Sequence, residues 1–231
     1  MSTKQWSKEE LVNINASLEG RSPQEVLKWV ADNFDAKEFG LACSFAECVL
    51  IDMLVRIKPD VRVFYIDTGL LFKETLDVVK RVEEKYGIRV ERFAPELTLE
   101  AMEASCGAEL WKREPDKCCY LRKVKTMTDA LKGFKLWITG LRREESGSRS
   151  DAPVVGWDEK FGLIKVNPIA AWTKKEVWDY VHKHGVPYNA LLDKGYPSIG
   201  CAPCTLPVKP GEDERSGRWA DSGKTECGLH K

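Results

Sequence analysis

Residues 39–69 read FGLACSFAECVLIDMLVRIKPDVRVFYIDTG. Two apolar runs, Phe39–Cys43 and Val61–Ile66, flank a helical segment near 46–57. Short apolar runs bounded by turn residues read as strands buried on both faces. Strands that alternate with helices pair in parallel, because a helical crossover returns the chain to the same end of the sheet. This unit therefore sets the fold class.

Working outward, the same alternation continues. Further apolar runs at Ile88–Phe93 and Leu136–Thr139 are interleaved with helical segments near 71–86 and 118–132. A strand near 161–166 and a helix from Thr173 to about His184 follow. On the amino-terminal side, residues 7–35 read as helical, with apolar residues at Leu11, Ile14, Leu18, Val26, Leu27 and Val30. Ser22-Pro23 supplies a cap followed by proline at the first helical position. The expected fold is α/β, a parallel sheet with helices on both faces. Residues 142–160 are polar and loop-like. Composition changes after Tyr196: residues 197–231 hold four prolines and five glycines with little periodicity. The expected division is a nucleotide-binding α/β unit over 1–196 and an irregular C-terminal segment over 197–231.

Lys+Arg and Asp+Glu both total 36 in the 231 residues. Net charge thus gives no support to a nucleic-acid or membrane partner, and any anion site must be built locally. The N-terminus, MSTKQWSKEE, has no apolar core of a signal peptide, and no stretch approaches the roughly 18 apolar residues of a membrane span. A cytoplasmic location is expected, where thiols stay reduced. Eight cysteines in that setting point to metal binding or thiol chemistry.

Ligands of open parallel sheets sit beyond the carboxyl ends of the strands. The segments leaving those ends are Ser44-Phe45-Ala46-Glu47, Asp67-Thr68-Gly69 and Gly140-Leu141-Arg142-Arg143. Their hydroxyls, glycines and arginines suit a nucleotide with anionic groups, although ordinary turns use Ser, Asp and Gly too.

Cys201-Ala202-Pro203-Cys204 is a C-x-x-C pair, and Cys118-Cys119 lies about 80 residues earlier. Four thiolates suffice for zinc or for an iron–sulfur cluster. Zinc pairs usually have two to four residues between them, and adjacent cysteines reach separate corners of a cubane more easily than one small ion. A thioredoxin-like redox pair is the other reading of C-x-x-C, but such a pair opens a helix, whereas this one lies among Gly and Pro. Cys43 and Cys48 fall in apolar segments and read as core residues; Cys106 beside Gly107 sits at a helix end. Cys227 stands apart in Glu226-Cys227-Gly228-Leu229-His230. It is either an exposed thiol on a frayed end or a nucleophile. The second requires positive charge to hold a thiolate, which Arg215, Arg218 and His230 offer and Glu226 opposes.

These residues carry a resemblance to the bacterial assimilatory adenylyl-sulfate reductases, within the wider phosphoadenylyl-sulfate reductase family. The matching stretches are WITGLRREESGSR (137–149), KVNPIAAWT (165–173), VPYN (186–189), GYPSIGCAPC (195–204), GEDERSGRW (211–219) and KTECGLH (224–230), with Cys118-Cys119-x-x-Arg122-Lys123. The chain departs from the family in a short loop at 43–47, in TGLLFKET (68–75) and over 106–117. The resemblance implies an adenine-nucleotide α-hydrolase-like fold and a [4Fe-4S] cluster on Cys118, Cys119, Cys201 and Cys204. It implies that Cys227, with His230 beside it, attacks the sulfonate sulfur of adenosine 5′-phosphosulfate, and that thioredoxin or a similar dithiol protein releases sulfite. Ser44, Thr68 and Gly140 would line the nucleotide; Lys123, Arg142, Arg143, Arg215 and Arg218 would neutralise its anionic groups. Family members with both cysteine pairs generally prefer the substrate without a 3′-phosphate. The alternatives are a 3′-phosphoadenylyl-sulfate reductase, an ATP-dependent RNA sulfur transferase, whose fuller phosphate loop is missing here, and a non-catalytic iron–sulfur module. Whether the chain forms a homo-oligomer is left open by the sequence.

Overall fold

The computed structural model describes residues 6–220 and 222–230. The first five residues, part of the polar N-terminus discussed above, lie outside that range. The chain opens with α1 (Lys8–Leu18) and α2 (Pro23–Asn33), each started by a capping box, Ser7 with Glu10 and Ser22 with Glu25. Each cap satisfies two otherwise orphaned backbone donors, a contribution of about 1 kcal/mol. The chain then runs through β1 (Phe39–Ala42), α3 (Val49–Ile57), β2 (Arg62–Ile66), α4 (Lys73–Tyr86) and β3 (Val90–Phe93). Next come the short helices α5 (Leu99–Cys106), α6 (Leu110–Arg113) and α7 (Pro115–Cys119). A π-helical turn at Tyr120–Val124 joins α7 to α8 (Lys125–Ala130). Strands β4 (Leu136–Thr139), β5 (Val155–Asp158) and β6 (Leu163–Val166) lead to α9 (Lys174–His184).

Among the described residues the sheet has six strands in the order β3-β2-β1-β4-β6-β5, parallel except for β5, which runs antiparallel to β6. The expectation of a loop throughout 142–160 is thereby corrected at Val155–Asp158. The strand escapes notice because Gly156 and Asp158 interrupt its pattern, while its edge position leaves Trp157 partly exposed. The core contains fully buried side chains from several elements, among them Leu27, Phe39, Ile51, Leu54, Val63, Val78 and Ile138. Each such aliphatic or aromatic side chain contributes roughly 1.5–3 kcal/mol of burial. A second cluster, built on Phe64, Met127, Phe134 and Trp137, packs on α8.

The strand order reverses between β1 and β4, which are adjacent and parallel: β2 and β3 lie to one side and β6 to the other. Connections diverging from neighbouring strands leave a crevice at their carboxyl ends. The cleft described next lies there.

Candidate functional site

A cleft of about 260 Å³ is lined by the loops leaving β1 and β4, Ser44 and Glu47 on one side and Gly140 and Arg142 on the other. The C-terminal segment closes it with Ser198, Arg215, Arg218, Cys227 and His230. Lys123, on the π-helical turn, completes the wall. The β1 loop is held in a left-handed turn at Phe45 (φ 58°), a costly conformation for a bulky residue. What pins it is burial of the ring, edge-on to Tyr65 at 5.7 Å, and a brace from the VPYN stretch. The Asn189 backbone N–H donates to the Ala46 carbonyl at 2.8 Å, and its side-chain amide donates to Thr75 Oγ1 at 3.1 Å.

Four guanidinium groups line the cleft, and their partners differ. Arg149 is buried and donates from Nε and Nη2 to the two carboxylate oxygens of Glu226, both at 2.9 Å. Arg215 Nη2 donates to the same carboxylate at 3.1 Å and to the Thr225 carbonyl at 2.8 Å. Arg142 forms longer ion pairs with Glu144 and Glu145 at 3.7 and 3.6 Å, Arg218 Nη1 donates to Ser198 Oγ at 3.3 Å, and each keeps a buried Nε with no hydrogen-bond partner. Arg218 stacks on Trp219, its Cζ 4.4 Å from the ring centroid. Its guanidinium fills the space over Gly200, where a Cβ would lie 2.1 Å from Nη2. Four guanidinium groups and Lys123 lining one cleft give it the chemistry of an anion site.

Cys227 borders this cleft. Burial raises its thiol pKa, but Lys123, the Leu229 backbone N–H and Arg218 outweigh burial and hold it below the usual thiol value. Lys123 responds in kind: burial works against its ammonium, yet the neighbouring Cys201 and Cys227 lift its pKa. His230 plays a different part from the electrostatic one expected. Its ring stacks on Trp137 at 5.8 Å with planes 3° apart, and Nδ1 lies 3.2 Å from Lys165 Nζ. Burial, then Lys165, Arg149 and Arg215, depress its pKa well below the imidazole range, so the ring is neutral and adds no positive charge beside the thiol.

Two sequence-predicted residues stand outside the cleft. Arg143 forms a bidentate pair with Glu19 at 2.7 and 2.9 Å and donates to the Ala152 carbonyl, tying α1 to the loop after β4. Thr68 is fully buried with Oγ1 3.3 Å from Cys201 Sγ, turned toward the cysteine cavity. Sequence reasoning in turn passed over Arg149, Lys165 and Trp137, although all three fall within the quoted stretches. For Arg149 and Lys165 the available signal was a charged residue in a small-residue or apolar stretch; Trp137, in an apolar strand, offered none.

The four paired cysteines meet. Cys118, Cys119, Cys201 and Cys204 line one small cavity with Leu70, Trp111 and Arg122; Lys123 and Trp219 border both this cavity and the cleft. Pro115 starts α7 and brings Cys118 and Cys119 to its end, while Arg122 donates to the Thr68 carbonyl at 2.7 Å and fixes the facing loop. Burial, then repulsion from the other three sulfurs, pushes the Cys118 thiol up to about 12; burial followed by Cys201 and Cys119 pushes Cys204 up to about 11. Buried sulfurs that resist ionisation in this way are relieved by a cationic centre. Among the described residues no three His, Cys, Asp or Glu side chains are grouped as round a single ion. A cluster offers each thiolate its own iron, so the donor set and the common cavity fit that group.

Comparison with known proteins gives consistent matches. The model of the phosphoadenosine phosphosulfate reductase domain matches residues 39–207. An adenosine 5′-phosphosulfate reductase of Geobacillus kaustophilus is 48% identical over 229 residues, covering 98% of this chain and 97% of its own. Among solved structures, phosphoadenylyl-sulfate reductase from Candida auris, a phosphate complex, superposes with a TM-score of 0.78 at 32% identity, covering 89% of this chain and 100% of that one. FMN adenylyltransferase from Candida glabrata shares the fold at a TM-score of 0.56 and 14% identity, covering 89% and 77%.

Proposed function

The chain belongs to the phosphoadenosine phosphosulfate reductase family, and we propose that it reduces adenosine 5′-phosphosulfate to sulfite and AMP. The carrying observation is Cys227 at the edge of a cleft that also holds Lys123, Arg218 and two orphaned guanidinium nitrogens. The Cys227 thiolate attacks the sulfonate sulfur, the bond from that sulfur to the bridging phosphate oxygen breaks, and AMP leaves. Both reactants are anions, so attack needs fixed cations at the meeting point, which Lys123, Arg142 and Arg218 supply without reorganisation. Ser44 and Gly140 line the same cleft and would contact the nucleotide.

Cys227 then carries the thiosulfonate. A dithiol protein such as thioredoxin attacks Cys227 Sγ, expels sulfite and forms a mixed disulfide. Its second thiol resolves that disulfide, so the dithiol supplies both electrons. Cys118, Cys119, Cys201 and Cys204 would hold a [4Fe-4S] cluster, which when bound adds charge next to the anion site. Lys123 and Trp219, shared by both cavities, are the residues through which that charge is felt. Preference for the substrate lacking a 3′-phosphate, and a cytoplasmic place in sulfate assimilation, complete the reading; no described helix is long and apolar enough to cross a membrane.

The test mixes purified protein with adenosine 5′-phosphosulfate, thioredoxin and a reductant, and measures sulfite. Sulfite formation that needs Cys227 supports the reading. Full activity in Cys227→Ser would overturn the mechanism.

A further inference from the structure

Glu226 sits beside the thiol, where its charge opposes ionisation, yet it is only 2% exposed and fully engaged. Its carboxylate accepts from Arg149 at 2.9 and 2.9 Å, from Arg215 at 3.1 Å and from Ser146 Oγ at 3.3 Å. Arg149 ends a 3-10 turn after β4 and Ser146 caps its start, 77 and 80 residues away. Arg215 is on the C-terminal segment itself and also grips the Thr225 carbonyl. Among the cleft arginines, Arg149 and Arg215 hydrogen-bond to Glu226, while Arg142, ion-paired at 3.6–3.7 Å with Glu145 and Glu144, and Arg218 each keep an Nε without a hydrogen bond.

We propose that Glu226 is a positioning residue, a carboxylate latch that docks the C-terminal segment on Arg149 and Arg215 and so holds Cys227 against the substrate anion. The role follows from where the contacts lie. Residues 222–230 contain no helix or strand, so no ladder of backbone hydrogen bonds seats them. Besides the latch, contacts on this stretch include Ser222 with the Trp219 carbonyl, Lys224 with Asp116 and the Trp219 ring, the Gly228 carbonyl with Lys160, Leu229 in the cluster around Trp137, and His230 with Trp137 and Lys165. Of these, the Glu226 contact is the bidentate, buried and charge-assisted one, and it is adjacent to the reacting sulfur. Releasing one carboxylate frees the thiol for a dithiol protein, and redocking restores the attack geometry.

The proposal rests on Cys227 being the nucleophile, but its docking readout does not require turnover. Limited trypsin cleavage after Lys224, followed by mass spectrometry of the full-length protein, reports undocking directly. Glu226→Gln removes the charge that makes the bidentate pair strong, and cleavage there should be at least about tenfold faster. In the sulfite assay the same variant should lose kcat by a similar factor while KM for adenosine 5′-phosphosulfate moves less than about threefold, since Arg142 and Arg218 are untouched. Glu226→Asp keeps the charge but not the reach and should fall between. Wild-type cleavage and kcat in Glu226→Gln would overturn the latch, as would faster cleavage spread equally over the α/β core. A wild-type protein that forms no sulfite would instead overturn the reductase reading and leave the cleavage result to judge the latch.

Discussion

The cleft and the cysteine cavity share a wall, Lys123 and Trp219, yet their electrostatics are opposite. The cleft gathers four guanidinium groups and a lysine around space, two of them with donors left over. The cavity gathers four thiols, and burial with repulsion from neighbouring sulfurs resists the ionisation of Cys118 and Cys204. On the proposed reading the first receives an anion and the second a cationic centre. One short stretch, Cys118 to Lys123, feeds both: Cys118 at the end of α7 lines the cavity, and Lys123 on the π-helical turn that follows lines the shared wall. Substitutions should therefore separate the two regions by what they cost.

The largest effect is expected at Cys227. Replacement by serine removes the sulfur that becomes the thiosulfonate and should lower sulfite formation at least about 10³-fold, because a hydroxyl is a far weaker nucleophile near neutral pH. Iron and acid-labile sulfide content should stay at the wild-type level. Cys201→Ser should do the reverse, draining iron and sulfide and lowering Tm, with Thr68 losing its sulfur partner as well. Stoichiometric zinc without iron or sulfide in the wild-type protein would break the assignment of the cavity.

Smaller effects should sharpen the boundary. Gly200→Ala places a methyl inside the Arg218 guanidinium, so Arg218 must leave the Trp219 face. Activity should fall roughly tenfold, mainly through KM, while Tm changes little because the displaced group is a side-chain end. His230→Phe should be milder still. The neutral ring contributes stacking on Trp137, worth about 0.5–1.5 kcal/mol, and the pH at which the Cys227 thiol ionises should be unchanged. A shift of that ionisation upward in alkylation–pH profiles would restore an electrostatic role to His230.

The smallest effect concerns acid. Burial raises the Glu226 pKa, but Arg149, Arg215 and Ser146 outweigh it and leave it depressed. Other charged groups facing the site are Glu145, through Arg149, and Lys165. A carboxylate depressed on docking stabilises the docked state fully above its undocked pKa of about 4.3, and that stability fades as pH falls through the docked value. Hydrogen-exchange protection of residues 225–229 should be flat through neutrality and fall only in acid, and Glu226→Gln should abolish this dependence.

Much of the frame was legible because local pattern and burial agree there. Leu136–Thr139 is a strand with the expected ends, and the Ser22-Pro23 helix start is where the cap signal puts it. Helices α5 and α6 were unreadable for the opposite reason: Met102 and Leu110 are their buried residues, too few to show a period. In the site, the cysteine pairs could be matched by spacing, which is a local property. Thr68 and Arg143 lie outside the cleft although their neighbours Leu71 and Arg142 line it, because which way each strand-end side chain turns is set by distant partners, Cys201 for Thr68 and Glu19 for Arg143, that carry no local signal. The Arg149–Glu226 pair spans 77 residues and carries no local signature.

The chemistry assigned to Cys227 is tested most directly by incubating the protein with adenosine 5′-phosphosulfate in the absence of any dithiol and mapping adducts by peptide mass spectrometry. The expected result is one added SO₃ group on the peptide containing Cys227, released as sulfite when thioredoxin is supplied. An SO₃ adduct on a different cysteine, or sulfite produced with Cys227 never modified, would contradict it.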